Sequence, residues 1–574
     1  RSSTGASTKM NWRGRNIYLT GLPGAGKTSI GREFAKLLSK FNYEFVDLDG
    51  LIETQTGLSV PQIINDRGEA HFREIETIML AHLSEHAFHD PKVVATGGGT
   101  VIRPMNRAIM RGSGLVVHVD VTVRQAAKNI VNGILSGQER PLLRAANPED
   151  LAEKVREVYE ARKGFYEEAM LHFVARGKDE RTPEELAIEL QTALGELSKR
   201  VRLAPTFTTI LANSALGDHP VLVGNGIAQT ELAPYLKSSD YRSVVVVTDT
   251  NVDALHASKL VKKLASTLGD GVQLHKVVIE AGESAKEKST LFELLDYFDR
   301  AELERRSSAV IAIGGGVVTD ITGFAASIYK RGIPVIHVPT TLLAQVDASI
   351  GGKTGIDFGG AKNSLGSFYA PAAVVIDPLF LKTLDKRELH AGLAEIYKYG
   401  LIGNKELWDE LATAVRRLTR GVDQSYSTII RECIREKLKY VEEDEFEKKR
   451  GVRELLNFGH TFGHALEAAT GFSQYLHGEA VVLGMRAASW LSMQLGHLSE
   501  EEWTKVEVVL GRIPVKAASE FNEQAVLAKM NLDKKREKGG HRLILLRAIG
   551  EAFVCDNISE KDVRGALQFM RSIA

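Results

Sequence analysis

The densest concentration of chemically capable side chains lies in Leu455–Ala480, LLNFGHTFGHALEAATGFSQYLHGEA. His460 and His464 stand four residues apart, a spacing that puts both imidazoles on one face of a helix. His477 follows about three turns later, and each of the three histidines adjoins a glycine that lets backbone approach closely. Zinc takes three or four N, O or S ligands, and a catalytic zinc keeps one position open. Upstream, Gly392–Gly400 (GLAEIYKYG) offers a carboxylate, Glu395, with Lys398 one turn further on. A His–His–Glu set beside a lysine suits metal-assisted chemistry on an oxygen-rich substrate. A histidine pair alone on an Ala/Leu-rich helix would read as packing or surface; the third histidine and the glycines point to a site.

A second chemistry is written near the other end. Asn16–Thr20 reads as a short strand running into Gly21–Thr28, GLPGAGKT, which matches G-x-x-x-x-G-K-[ST] with a helix to follow. The backbone of Gly24, Ala25 and Gly26 would turn its N–H groups around phosphates. Lys27 would reach the β- and γ-phosphates, and the Thr28 hydroxyl would coordinate Mg²⁺. Glu44–Asp49 (EFVDLD) reads as a strand whose alternation sets Asp47 and Asp49 on one face at its carboxyl end, where α/β sheets bind ligands. One would serve the metal and the other a substrate hydroxyl.

Positioning these groups takes several domains: 574 residues suggest two to four. Apolar content of 44% with 25% charged residues is that of a soluble globular protein. A formal net charge of zero favours neither nucleic acid nor an anionic membrane as partner. No apolar run approaches the roughly 20 residues that span a bilayer. Two cysteines, Cys433 and Cys555, make no disulfide framework and fit a reducing cytoplasm. The first fifteen residues are rich in Arg, Ser and Thr without acids, a trace of transit-peptide composition. Residues 1–12 are expected to be a disordered tail, or to lie upstream of a start at Met10.

From Pro220 strands and helices alternate through PVLVG, SVVVVTDTNV, LHKVVIEAGE, SAVIAIGGGVVTD and PVIHVPTTLL. Val/Ile runs this continuous predict parallel strands buried on both faces. Gly314–Gly316 lies between a strand and a helix and can carry a pyrophosphate on backbone amides, with Asp249 and Asn251 ending an earlier strand. Beyond about Asp385 the strand signal fades and amphipathic helices are expected to the end. The His/Glu cluster would then line a cleft between the α/β and helical parts.

Adding Gly68–Glu76 (GEAHFREIE), Val93–Gly99 (VVATGGG), Arg140–Leu143 (RPLL) and Val158–Arg162 (VYEAR), the first segment resembles shikimate kinase over essentially its whole length. The resemblance implies that Asp49 orients or deprotonates the hydroxyl attacked by ATP while Asp47 helps hold Mg²⁺. It implies a carboxylate clamp of Arg73 and Arg162, a ring pocket lined by Gly97, Gly98 and Gly99, and Arg140 in a lid of roughly Ser136–Pro148. A gluconate kinase of the same fold is the alternative. His82–His86 (HLSEH) matches an inverted zinc-protease signature. In this fold it ends a helix leading to the Val93 strand, and is expected to be a solvated helix end.

From about Pro205 onward the chain closely resembles 3-dehydroquinate synthase. The matching runs are GESAK, GGGVVTDITGF, PTTLLAQVDASIGGKTG, KNSLGSF, GLAEIYKYG, LNFGHTFGH and LHGEA. The resemblance implies NAD contacted by Asp249, Asn251, Glu283, Lys286, Gly315, Gly316, Asp320, Thr340, Thr341, Asp347, Lys353 and Lys362. It implies a divalent metal, zinc with cobalt as a substitute, on Glu395, His460 and His477. His464 then becomes a proton-transfer partner near the substrate phosphate, not a fourth ligand. Substrate contacts would come from Asp347, Lys353, Asn363, Lys398, Lys437, Arg453, Asn457 and Lys535, with Lys439 and Lys534 as adjacent alternatives. Arg331 would reach across a two-fold axis into a neighbour's site, which implies a homodimer. Three departures stand out: Thr319 before Asp320 and Ala361 before Lys362, both where glycine is usual, and a slightly long Phe446–Arg450.

The expected class is therefore α/β, in two enzymes. A P-loop kinase domain spans 13–197, with a parallel sheet covered by helices on both faces, and a linker spans 198–205. An NAD-binding α/β subdomain (206–385) and a helical metal- and substrate-binding subdomain (386–574) complete the chain. Together the resemblances imply ATP-dependent phosphorylation of shikimate, and NAD- and metal-dependent conversion of 3-deoxy-arabino-heptulosonate 7-phosphate to 3-dehydroquinate and phosphate. These steps are not consecutive, so channelling is not expected. Two alternatives stay open: a cyclitol-forming cyclase joined to a gluconate- or cyclitol-type kinase, and a half that binds nucleotide without turnover.

Overall fold

The computed structural model describes residues 14–85, 87, 90–135, 148–175, 181–200, 207–239, 241–359, 361–515, 521–534 and 540–574. The chain divides into two compact units, Arg1–Leu211 and Ala212–Ala574. A helix, Pro183–Arg200, occupies the start of the expected 198–205 linker, whose remainder lies outside the described residues.

In the first unit, short apolar runs become the strands β1 (Asn16–Thr20), β2 (Glu44–Asp47), β3 (Lys92–Ala95), β4 (Gly114–Asp120) and β5 (Leu171–Val174). They form one parallel sheet in the order β2-β3-β1-β4-β5. β1 is buried along its whole length, as a central strand covered on both faces must be. Gly24 and Gly26, at φ 80° and 83°, turn the chain from β1 into helix α1 (Lys27–Leu38), a conformation that favours glycine. Ile30, Phe34 and Leu38 bury the inner face of α1.

Asp47 and Asp49 do not share one strand face as alternation suggested. The strand stops at Asp47, which caps helix α2 (Leu48–Thr56) by accepting from the Gly50 amide at 3.4 Å, and Asp49 falls in the first helical turn. An Asp at a helix start competes with strand continuation because its carboxylate satisfies a free amide. Helix α3 (Val60–Glu85) is broken at Gly68, whose φ of 86° and ψ of 161° separate two helical pieces. His82 and Glu85 end α3, and His86 lies outside the described residues. Helix α4 (Pro148–Glu167) precedes β5.

The second unit opens as an α/β layer. Its six parallel strands are β6 (His219–Val223), β7 (Ser243–Asp249), β8 (Gln273–Ile279), β9 (Ser308–Gly314), β10 (Val335–Pro339) and, after a hairpin, a strand at Ala373–Ile376. The hairpin is β11 (Lys353–Phe358) with β12 (Ala361–Phe368), so Ala373–Ile376 is β13. The parallel order is β6-β13-β10-β9-β7-β8. Val244–Val247 and Ala309–Ile313 are fully buried, the doubly covered pattern expected from the Val/Ile runs. Helix α5 (Gly316–Ile328) starts where β9 ends.

Helices α6 (Lys386–Ile402), α7 (Tyr426–Glu443), α8 (His460–Ala469) and α9 (His477–Gln494) follow. His460 and His477 do not lie along one helix. α8 ends at Ala469, the chain reverses through Gly471 and Phe472 at φ 67° and 56°, and His477 opens α9. This brings the two histidines together from two helix starts. The expectation of helices to the C-terminus also needs correction. His541–Ala548 (β14) and Glu551–Ile558 (β15) form an antiparallel hairpin around Gly550, and Arg542 ties it to Glu454 at 2.6 Å, just upstream of α8.

α6 and α9 cross at Ala391 and Gly478, where a β-carbon on Gly478 would overlap the Ala391 carbonyl. That contact lies one turn from Glu395. Gly478→Ala should lower the stability of the second unit by about 1–3 kcal/mol, read as a drop in thermal midpoint.

Candidate active sites

The described kinase-type residues share one cavity of about 1670 Å³ in the first unit: Gly24–Thr28, Asp47, Asp49, Arg73, Gly97–Gly99 and Arg162 line it. Lys27 Nζ donates to the carbonyls of Gly21 and Leu22, both at 2.8 Å. Thr28 Oγ1 donates to Asp47 Oδ2 at 2.7 Å, so the hydroxyl and the carboxylate expected at Mg²⁺ already face one another. Burial first, then the charges of Glu76 and Asp47, raise the Asp49 carboxyl to about 6 against the pull of Lys27 and Arg73. Asp49 Oδ1 has no hydrogen-bond partner. A carboxylate of this basicity, open on one oxygen, is equipped to take a proton from a hydroxyl.

Arg73 donates to Glu76 at 3.1 Å and to Glu69 at 2.9 Å, while Arg162 Nη1 donates to the Gly98 carbonyl at 2.9 Å. The glycine triplet matters sterically. A β-carbon on Gly97 would come 3.1 Å from Asp49 Oδ1, and one on Gly99 would overlap the Arg73 guanidinium. Sequence reasoning missed Glu76, which is fully buried, holds Arg73 and accepts from Thr100 Oγ1 at 2.5 Å. Its spacing of three residues from Arg73 was the available signal. Arg140 and positions 136–147 of the expected lid lie outside the described residues.

In the second unit Glu395 on α6, His460 on α8 and His477 on α9 converge. Glu395 Oε1 lies 3.4 Å from His460 Nε2 and 3.8 Å from His477 Nε2. His464 joins them: the ligand atoms of the three histidines all lie within 4.8 Å of one another. The ring protons follow from the other nitrogens. His460 Nδ1 faces the Phe458 carbonyl at 3.2 Å, and His477 Nδ1 faces Glu467 Oε2 at 3.0 Å. Both partners only accept, so each Nδ1 carries a hydrogen, and in the neutral ring each Nε2 presents a lone pair. Two lone pairs and a fully buried carboxylate oxygen without a hydrogen bond then point at one another. Such an arrangement is stable around a cation, and the donor set fits zinc. Burial, with His460 and His477 alongside, pushes the His464 imidazole down to about 3.

A chain of charge leads away from Glu395. Lys398 is ion-paired with Glu395 and lies 3.9 Å from Asp347 Oδ1. Lys437 Nζ reaches the same Asp347 oxygen at 2.9 Å, and Tyr399, absent from the sequence-derived set, donates to it at 2.6 Å. Burial alone would raise the Asp347 carboxyl, but Lys437 and Lys398 hold it well below the usual carboxylate range. Lys437 and not Lys439 enters this cluster; Lys439 turns outward to Glu436. Arg453 is buried and donates to the Gly351 carbonyl at 3.1 Å.

The nucleotide-type residues gather at the carboxyl ends of the parallel strands. Asp249 ends β7 and caps the next turn, Gly315 and Gly316 begin α5, and Thr340 and Thr341 follow β10. Lys286 bonds Asp320 Oδ2 at 2.5 Å and Asn363 Oδ1. Asn251, Glu283, Arg331, Lys353 and Asn457 are exposed, and Lys353 pairs with Glu447. Lys535 lies outside the described residues, as do the side chains of Lys534 and Ala361.

Thr319 is buried, with its hydroxyl donating to the Gly316 carbonyl at 3.0 Å inside its own helix. Its β-carbon is packed in protein and does not stand in open space beside Gly315 and Gly316. Thr319→Gly should leave NAD affinity within a factor of about two and cost about 0.3 kcal/mol in helix propensity on top of the buried side chain it removes, measurable by NAD titration and thermal unfolding.

Residues 23–194 match the shikimate kinase family model. Residues 276–391 and 392–536 match the N-terminal and C-terminal models of 3-dehydroquinate synthase. A 3-dehydroquinate synthase of Teredinibacter turnerae is 40% identical over 348 residues, covering 60% of this chain and 94% of that protein. The chain belongs to the 3-dehydroquinate synthase family. Its dehydroquinate synthase part resembles the solved 2-epi-5-epi-valiolone synthase of Streptomyces hygroscopicus, which has NAD⁺ and Zn²⁺ bound. The TM-score is 0.57 at 33% identity, over 63% of this chain and 99% of that one. A 2-deoxy-scyllo-inosose synthase solved with carbaglucose-6-phosphate, NAD⁺ and Co²⁺ shares the fold, with a TM-score of 0.56 at 24% identity over 64% and 100% of the two chains. With the shikimate kinase match beside the dehydroquinate synthase one, the chain is a bifunctional shikimate-pathway enzyme, a kinase joined to a phosphate-eliminating lyase. The cyclitol-type alternative is not favoured. Among the described residues no helix is long and apolar enough to cross a membrane.

Proposed function

We propose that the first unit transfers the γ-phosphoryl group of ATP to shikimate, and that the second converts 3-deoxy-arabino-heptulosonate 7-phosphate to 3-dehydroquinate and phosphate. One observation carries the kinase reading: Asp49 sits in the cavity that also holds the phosphate-loop lysine and two arginines able to grip a carboxylate. Gly24–Lys27 take the nucleotide phosphates, Thr28 and Asp47 hold Mg²⁺, and Arg73 and Arg162 fix the acid end of shikimate. Asp49 takes the proton of the attacking hydroxyl.

For the second unit, the carrying observation is the convergence of Glu395, His460 and His477 next to the Lys398–Asp347–Lys437 cluster. Those three ligands hold zinc, with cobalt as a substitute, and Asp249, Asn251, Glu283, Lys286, Gly315, Gly316, Asp320, Thr340 and Thr341 hold NAD. When bound, the metal polarises a substrate hydroxyl oxygen and NAD accepts and later returns a hydride, so NAD is not consumed. Lys353, Asn363, Arg453, Asn457 and Lys535 bind the substrate's oxygens and phosphate. Lys398 and Lys437 hold Asp347 ionised, and His464, beside His460 and His477, is the proton-transfer partner near the leaving phosphate. Arg331 is exposed and would serve the site of a second copy in a homodimer. Two free cysteines suit a cytoplasmic enzyme.

The test is phosphate release from 3-deoxy-arabino-heptulosonate 7-phosphate with NAD, before and after chelation. Release should vanish with the chelator and return with zinc. No release with NAD and zinc demonstrably bound would sink the dehydroquinate reading.

A further inference from the structure

Glu467, so far only the acceptor facing His477 Nδ1, is a buried carboxylate with both oxygens committed. It follows His460 by seven residues on α8, which sets it on the same helix face two turns on. Its side chain is 2% exposed. Oε2 faces His477 Nδ1 at 3.0 Å, and Oε1 accepts from Lys362 Nζ at 3.1 Å. Lys362 belongs to β12 of the hairpin between β10 and β13, and its ammonium also lies over the Phe472 ring, 4.9 Å from the centroid. Phe472 is held by the same residue, because its amide donates to the Glu467 carbonyl at 2.8 Å. Beyond Lys362 the contacts continue into the nucleotide region: Nζ lies 3.8 Å from Glu283, and the adjacent Asn363 bonds Lys286.

We propose that Glu467 is a positioning residue that locks His477 in its metal-binding tautomer with one oxygen and tethers the hairpin's Lys362 with the other. Carboxylates behind metal-bound imidazoles fix ring orientation and raise ligand basicity, and losing one typically costs about 10–100-fold in metal affinity. Here one carboxylate holds one partner with each oxygen, so its loss releases both the metal-site ring and the hairpin's lysine. The inference rests on the metal-dependent reading of the second unit.

The test uses the full chain stripped of metal, with zinc affinity read by competition against a chromophoric chelator and NAD affinity by titration. Glu467→Gln keeps the shape but replaces one acceptor oxygen by a donor amide. It should weaken zinc binding about 10–100-fold and weaken NAD binding as well. Lys362→Met should weaken NAD binding while leaving zinc affinity within about twofold, which separates the tether from the ring lock. Glu467→Asp, too short to reach both partners, should fall between wild type and Gln in zinc affinity, and it carries the test if the Gln variant does not fold. A cobalt-loaded Gln variant should also show a changed visible spectrum, which a purely structural carboxylate would not produce. Wild-type zinc affinity in a folded Gln or Asp variant overturns the proposal. Wild-type protein that takes up no zinc overturns the metal reading itself along with it.

Discussion

Replacing His460 with alanine should cut phosphate release by on the order of 10³-fold while shikimate phosphorylation by the same molecule stays at its wild-type rate. Metal polarisation of an oxygen is worth several kcal/mol of barrier, and each 1.36 kcal/mol is tenfold in rate. His460 is a sharp choice because its Nδ1 is bound to a backbone carbonyl, which leaves Nε2 with no role but the one facing Glu395. Zinc content measured on the purified variant, beside both activities, checks the expectation. A variant with full zinc and full phosphate release would show that the ligand set is wrong.

Asp49→Asn should lower the kinase turnover number by about 10²–10⁴-fold, the range for losing a positioned general base. Asparagine preserves volume and polarity but cannot accept the proton, so KM for ATP should move little. The raised carboxyl makes this the residue where the loss concentrates: burial and its acidic neighbours Glu76 and Asp47 hold it near the range where a carboxylate exchanges protons usefully. Steady-state kinetics with ATP, Mg²⁺ and shikimate give the number, and phosphate release from the heptulosonate substrate serves as the internal control. Turnover within tenfold of wild type would remove Asp49 from the proton path.

Much of this was legible because the informative residues are contiguous. The phosphate loop is eight consecutive residues whose glycines, lysine and threonine each have one mechanical duty, so strand, loop and helix could be read off together. The parallel strands were legible for a related reason, since runs such as Val244–Val247 have only one stable environment. Glu395 and His477 are another matter. They lie on different helices, and only the crossing of α6 and α9 at Gly478 joins them; helical spacing alone pointed to His464 instead. Glu76, Tyr399 and Glu467 escaped because a carboxylate or phenol on an amphipathic helix reads as an ordinary solvated or packing residue until its partner, distant in sequence, is known. The β14–β15 hairpin was missed because LILL reads equally as a buried helix segment or a strand, and the Gly550 turn that decides between them is a single residue. The strand ending at Asp47 failed as a reading for a local reason: capping competed with alternation and won.

The division of the chain into two units, each with its own sheet and its own candidate catalytic residues, has a consequence for metabolic control. Every translated molecule supplies one kinase and one lyase. A cell therefore cannot change the ratio of the two catalysts through transcription or translation of this chain. If the two steps demand different capacities, the difference has to be met by turnover numbers and saturation, and any separate throttling must act on one site at a time, through its own metal, nucleotide or substrate.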